Sequence, residues 1–313
     1  MAFAVLATFS LTFVSCSSDD DDDDNDGGNA SGKVPSPVFV DLDGNKVQIS
    51  SIGDYSFFYN EAGRLTSFSR YDDTYTVDKS SFTISKKYYD DGYDIFTAYV
   101  TLNNEGLIST IRYVDEWTED NGTGFEKEDC TISYTYNSSK QLVGVSSNYR
   151  EDVRNGTTQS LITVTLTWEN DNLIKSVLEE ETSRTYQGST GEQHSNWTTT
   201  ISNTFNYGTQ SNPVKQFPYS MSGVISYSKS TDLGMCLLGL LGVGPANLPT
   251  SSTTVTTYSS GSPNTSNSTY SFVLNSNGTI NTEKVGSPKS QYTSSYTWEY
   301  GNTSRVVIEN VGK

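Results

Sequence analysis

The chain has 313 residues, only 34% of them apolar, yet 12% are aromatic and 21 are tyrosine. Ser, Thr, Asn and Gly fill much of the rest, a mix that disfavours helices and suits strands with one aromatic and one small polar face. The net charge is −17; with seven of the 37 acids between Asp19 and Asp26, the remainder holds 30 acids against 20 bases. Nucleic acid is excluded as a partner, because phosphate binding needs a basic surface.

Ala2 to Val14 is an unbroken apolar and hydroxyl run ending at Cys16. It is shorter than the ~20 residues of a membrane-spanning helix and suits a signal-peptide core. A small residue before Cys16 resembles the lipobox of bacterial lipoproteins, which implies acylation of that cysteine. Residues 1–15 then read as a signal peptide and 16–33 as a tether. The run SSDDDDDDND repels itself and cannot fold. Fully extended, Ser17 to Lys33 reaches about 55–60 Å. An acidic run directly after the cysteine resembles the export signal of Bacteroidetes-type surface lipoproteins. That resemblance implies an outer-membrane lipid anchor and a surface-exposed body.

Residues 34–313 read as one β-repeat domain. Its unit is the stretch YNEAGRLTSF, Tyr59 to Phe68. The pattern returns at Leu102-Asn103, Tyr136-Asn137, Trp168, Phe205-Asn206, Leu274-Asn275 and, in part, Tyr300-Gly301-Asn302. Residues before each turn alternate: Ile132, Tyr134 and Tyr136 against Thr131, Ser133 and Thr135; Ile162, Val164, Leu166 and Trp168 against Thr163, Thr165 and Thr167. Period two marks a strand with one buried face. Asn and Gly supply the positive φ of a tight turn. Beyond the turn, apolar residues sit three apart, as in Leu65 and Phe68, which predicts a bulge. The fold class expected is all-β, a large antiparallel meander curled into a barrel-like sheet.

Polar returns around Asp72, Asp90, Glu119, Arg154 and Gln187 to Gln193 fall at the end opposite the Asn/Gly turns and read as solvated loops. One segment, Asp232 to Leu241 (DLGMCLLGLL), is apolar all round and predicts a short buried helix. Cys130 begins an alternating strand and Cys236 lies in the apolar run. They read as buried free thiols, with a disulfide as the alternative.

YNEAGRLTSF resembles the YD repeat of RHS-type proteins, whose hairpins build curled β-shells. The wider layout, with Gly234 to Pro249 ending in an Asn-Leu-Pro loop, is similar to Bacteroidetes-type surface lipoproteins carrying a domain of unknown function of porin-like fold. The resemblance implies a barrel-like sheet and brings no activity, cofactor or catalytic residue.

Catalytic signals are sparse. His194 is the only histidine, and no nucleophile elbow, HExxH motif, phosphate loop or dinucleotide fingerprint occurs. Glu179, Glu180 and Glu181 alternate across a strand and read as a solvated edge. Of the four tryptophans, Trp117 and Trp197 are the candidate ligand-contact aromatics, able to stack on sugar rings; packing in a core is the alternative. The expected function is a non-catalytic binding or adhesion protein for a glycan or host protein. A structural envelope scaffold and a hydrolase using rim carboxylates are the alternatives. A transmembrane β-barrel would require apolar residues on the outer wall.

Overall fold

The computed structural model describes residues 39–300, except 62, 72, 79–80, 89–91, 120–123, 223–237 and 288–289. The strands are β1 (Phe39–Val40), β2 (Lys46–Ile52), β3 (Tyr55–Tyr59), β4 (Leu65–Arg70), β5 (Asp73–Asp78) and β6 (Thr83–Tyr88). There follow β7 (Gly92–Leu102), β8 (Ile108–Glu119), β9 (Phe125–Tyr136), β10 (Leu142–Val153), β11 (Gly156–Glu169) and β12 (Asn172–Gly188). The last are β13 (Gly191–Ser211), β14 (Asn247–Tyr258), β15 (Asn264–Leu274), β16 (Ile280–Gly286) and β17 (Gln291–Tyr300). From β2 onward each strand pairs antiparallel with the next, and β17 pairs with β2. The result is a closed meander barrel of sixteen strands, with the two-residue β1 added against the start of β2. Closure leaves no long sheet edge, so the backbone of so polar a chain is satisfied within itself.

Among the described residues, several of the Asn- and Asp-led turns at one end share one mechanism. At Asn60 the backbone N–H of Gly63 donates to the Asn60 carbonyl, the Asn60 N–H donates to the Arg64 carbonyl, and the Arg64 N–H donates to Asn60 Oδ1. The same three bonds form at Asn103 with Gly106 and Leu107, and at Asn137 with Lys140 and Gln141. Asp41, Gly44 and Asn45 form them too, a copy hidden in the sequence because Asp replaces Asn and only two strand residues precede it. The fourth position takes positive φ each time: 71° at Gly63, 78° at Gly106, 82° at Gly44 and 61° at Lys140. The β11–β12 turn uses two residues instead, Asn170 and Asp171, both at positive φ.

Just past these turns the register slips, between Leu142 and Gly144 and again where Leu102 meets Ile108, as the apolar spacing predicts. The slips explain the aromatic of the repeat. Tyr136 Oη donates to the Ile108 carbonyl at 2.9 Å, and Trp168 Nε1 to the Leu142 carbonyl at 2.7 Å. Tyr207 Oη donates to the Leu173 carbonyl and Trp298 Nε1 to the Ile280 carbonyl, each at 2.8 Å. Each anchor therefore reaches back to the first or second residue beyond the turn of the preceding hairpin. Tyr and Trp serve here because each combines an apolar body with a polar tip.

A circular barrel of sixteen strands would leave a water-filled channel. Here the turn half is filled. Phe57, Phe68, Tyr75, Phe96 and Tyr113 form a continuous aromatic run across five strands, with Phe68 and Tyr75 stacked 4.5 Å apart. The chain between β13 and β14 also enters the barrel, burying Phe217, Met221, Leu240 and Leu241. Phe217 packs edge-on against Trp168, with ring centroids 6.1 Å apart. Val243 N–H donates to the Lys140 carbonyl and Ala246 N–H to the Asp171 carbonyl, so this segment also caps the turn end. Of the helix expected over 232–241, residues 232–237 lie outside the described residues. The described part holds only a 3-10 turn, Leu238–Leu240, where Gly239 and Gly242 disfavour longer helix.

Candidate functional site

Because nothing among the described residues covers the outer wall, the buried side of each strand is the inside of the barrel. Strand register then sorts the inward residues into rows. In the turn half, below the apolar row Tyr134, Val145, Val164, Leu178 and Ile201, one row runs Val100, Ile111, Ile132, Ser147, Ile162, Glu180 and Thr199. The next runs Ala98, Tyr113, Cys130, Tyr149, Ser160, Thr182 and Trp197. Beyond it come Phe96, Asp115, Glu128, Glu151 and Thr158. The last holds Asp94, Trp117, Glu126 and Val153. The inner wall thus changes from apolar to acidic and aromatic towards the loop end.

That end is open. Trp117 faces inward yet is 42% exposed, and the inward Tyr258 and Tyr292 are 51% and 50% exposed. Trp197 is half-buried. Tyr258 pairs with Thr199, two residues from Trp197, making Trp197 and Tyr258 diagonal neighbours on β13 and β14. The structure therefore places both tryptophans singled out from the sequence on the inner face of the open end, five strands apart. The other two, Trp168 and Trp298, pack in the turn half as staples.

The acids of the mouth crowd one another. Carboxylate oxygens of Glu126, Glu128 and Glu151 lie within 4.8 Å of each other. An all-oxygen set of this kind matches hard cations such as calcium better than zinc. Tyr149 Oη donates to Glu128 at 2.8 Å, and Lys86 pairs with Asp94 at 2.7 Å. Burial, then the Asp94 and Glu128 charges, push the Asp115 carboxyl up to about 7, against a smaller pull from Lys86. Burial and the neighbouring Glu151 and Glu128 raise Glu126 as well.

The outer wall is different in kind. On β11 it presents Thr163, Thr165 and Thr167; on β12, Lys175, Glu179 and Glu181; on β13, Thr198 and Thr204. Arg112 pairs with Asp129 at 3.2 Å and Lys127 with Glu116 at 3.3 Å across this surface. A lipid-facing wall would carry a continuous apolar band instead; among the described residues the exposed apolar side chains Phe58, Tyr99, Leu161 and Val273 stand apart on β3, β7, β11 and β15. Among the described residues, no helix is long and apolar enough to cross a membrane.

The chain matches no protein-family model and no curated protein. In fold it is similar to solved structures. One is a porin-like protein from Bacteroides vulgatus, with TM-score 0.46 and 10% identity over 82% of this chain and 99% of the other. Another is a porin-like protein from Bacteroides uniformis, with TM-score 0.43 and 15% identity over 84% and 94%.

The remaining sequence candidates fall as follows. His194 lies on β13 rather than in a loop, because β12 and β13 run almost to their tip; it is exposed and pairs with Glu192 at 3.2 Å. Glu180 faces inward, while Glu179 and Glu181 face out, as alternation requires. Cys130 is buried and free, 3.2 Å from Ser147 Oγ. Cys16 and Cys236 lie outside the described residues. The acids Asp115, Glu126, Glu128 and Glu151 escaped the sequence reading. Their signal was parity: each continues the inward face of Ile111 and Tyr113, Ile132 and Cys130, or Ser147 and Tyr149.

Proposed function

We propose that this chain is a non-catalytic glycan-binding protein whose ligand enters the open end of the barrel. The observation that carries this reading is the set of inward aromatic side chains left accessible there. Trp117, Tyr258 and Tyr292 would have been buried had this half been filled like the other. Flat aromatic faces stack on the apolar faces of sugar rings, and the adjacent carboxylates and hydroxyls accept and donate to sugar hydroxyls. The barrel is held at the outer membrane by acyl chains on Cys16, with the acidic tether setting it off from the surface. The polar outer wall supports an anchored barrel over a membrane-embedded one, and two or more acyl chains suffice for stable anchoring.

A glycan array followed by titration of intrinsic fluorescence tests the ligand. Binding should weaken at least tenfold in W117A or W197A. Absence of binding to any glycan, or binding untouched by both substitutions, refutes it. Cys16→Ser should move the protein from the membrane pellet to the soluble fraction; retention in the pellet refutes the anchor.

A further inference from the structure

On the segment between β13 and β14, the turn around Tyr219 and Ser220 is fastened inside the barrel through a buried carboxylate. Glu283 on β16 is wholly buried. Tyr296 Oη donates to its Oε2 at 2.7 Å, and the Ser220 backbone N–H donates to its Oε1 at 3.2 Å. Tyr219 N–H donates in turn to Tyr296 Oη at 2.9 Å. These bonds tie the 3-10 turn Tyr219–Met221 to β16 and β17.

Among the described residues, the groups facing Glu283 are neutral. β15 contributes Tyr270, itself bonded to Ser252 of β14; β17 contributes Tyr292, Ser294 and Tyr296; the segment contributes Tyr219 and Ser220. Arg70 and Asp54 act on Tyr219 with opposite signs. A carboxylate buried without a cation is costly when ionised.

We propose that Glu283 is a pH-sensitive latch for the inner segment: protonated, it holds the segment seated, and ionised, it loosens it. Burial raises the Glu283 carboxyl above its ordinary 4.5, and the bonds from Ser220 and Tyr296 pull it only part of the way back. The seated state therefore binds the proton more tightly than the loosened state. Seating is firmest below 4.5 and weakens as pH rises through the raised value.

Hydrogen exchange of residues 212–222 in the full chain, corrected for the intrinsic rate at each pH, reads the seating directly. Protection should fall about tenfold for each unit by which burial has raised the carboxyl. E283Q keeps the shape and removes the charge, so its protection should vary less than twofold over the same range. Y296F removes a donor to the ionised form, so its transition should move to higher pH. Flat protection in the native protein overturns the latch. So does a native-like profile in E283Q, or an unmoved transition in Y296F; the latter decides the matter should E283Q fail to fold.

Discussion

Removing one oxygen atom tests whether the repeat aromatic is an inter-hairpin staple or only a core side chain. In Y136F the ring stays and the 2.9 Å bond to the Ile108 carbonyl goes. Ile108 is wholly buried beside the register slip, so its carbonyl loses this donor where water is scarce. Stranding a buried acceptor costs about 1–3 kcal/mol, whereas a well-solvated hydroxyl contributes almost nothing. The hydroxyl of Tyr136 is deeply desolvated, and burial pushes its ionisation well above the ordinary tyrosine range. The middle of the range therefore applies, about 2 kcal/mol. Urea unfolding should show a lower midpoint with an unchanged slope, since the exposed surface on unfolding hardly differs. Tyr99 on the outer wall is 51% exposed, and Y99F should stay within about 0.5 kcal/mol of the native protein. Equal stability of Y136F and Y99F would refute the staple and return Tyr136 to the role of a plain core residue. Y59F and Y207F, which lose bonds to the Ile49 and Leu173 carbonyls, should behave like Y136F.

The turns allow a paired test. Gly44 and Gly278 both have φ above 80°, but a Cβ at Gly44 meets nothing within 4 Å, while at Gly278 it meets Pro213 Cγ at 2.6 Å and Leu42 at 2.9 Å. G44A should therefore cost about 1 kcal/mol from backbone strain alone. G278A should cost about 2–4 kcal/mol by adding overpacking; equal losses in denaturant midpoint would refute the reasoning. At Asp115 the folded value near 7 exceeds the ordinary 3.8. Its contribution to stability is full below 3.8 and is lost as pH rises through about 7. D115N should flatten the fall in melting temperature between pH 5 and 8, and an unchanged slope would count against the burial and neighbouring charge that raise Asp115. Calcium, titrated into the native protein and into a variant with Glu126, Glu128 and Glu151 all changed to Gln, should raise the melting temperature only of the native protein if the three carboxylates act together. Equal responses would separate them.

Much of the architecture was legible because its signals are local. Alternation at Ile132 to Tyr136 and Ile162 to Trp168 fixes which side chains share a face, since successive strand residues point to opposite sides. Asn60, Asn103 and Asn137 with their positive-φ partners fix the hairpins, and the spacing of Leu65 and Phe68 fixes the bulge. The Asp41 turn is hidden in the sequence because Asp stands in place of Asn and only the two residues of β1 precede it. The buried run at 232–241 was placed correctly at Leu240 and Leu241, but helix was expected where the described residues hold a single 3-10 turn.

The sequence by itself determined strands, turns, the inward parity of each side chain and the extreme acidity. Tertiary structure alone decided that β17 closes on β2, that the inward acids of β8, β9 and β10 meet in one mouth, and that Trp117 and Trp197 share its inner face. The physical reason is range. Parity and turn chemistry act over two to five residues, whereas closure depends on the summed register of sixteen strands. Whether an inward residue becomes core or open wall depends on what fills that half of the barrel. Here the filling comes from residues between β13 and β14, far along the chain from Trp117, and nothing near Trp117 encodes it.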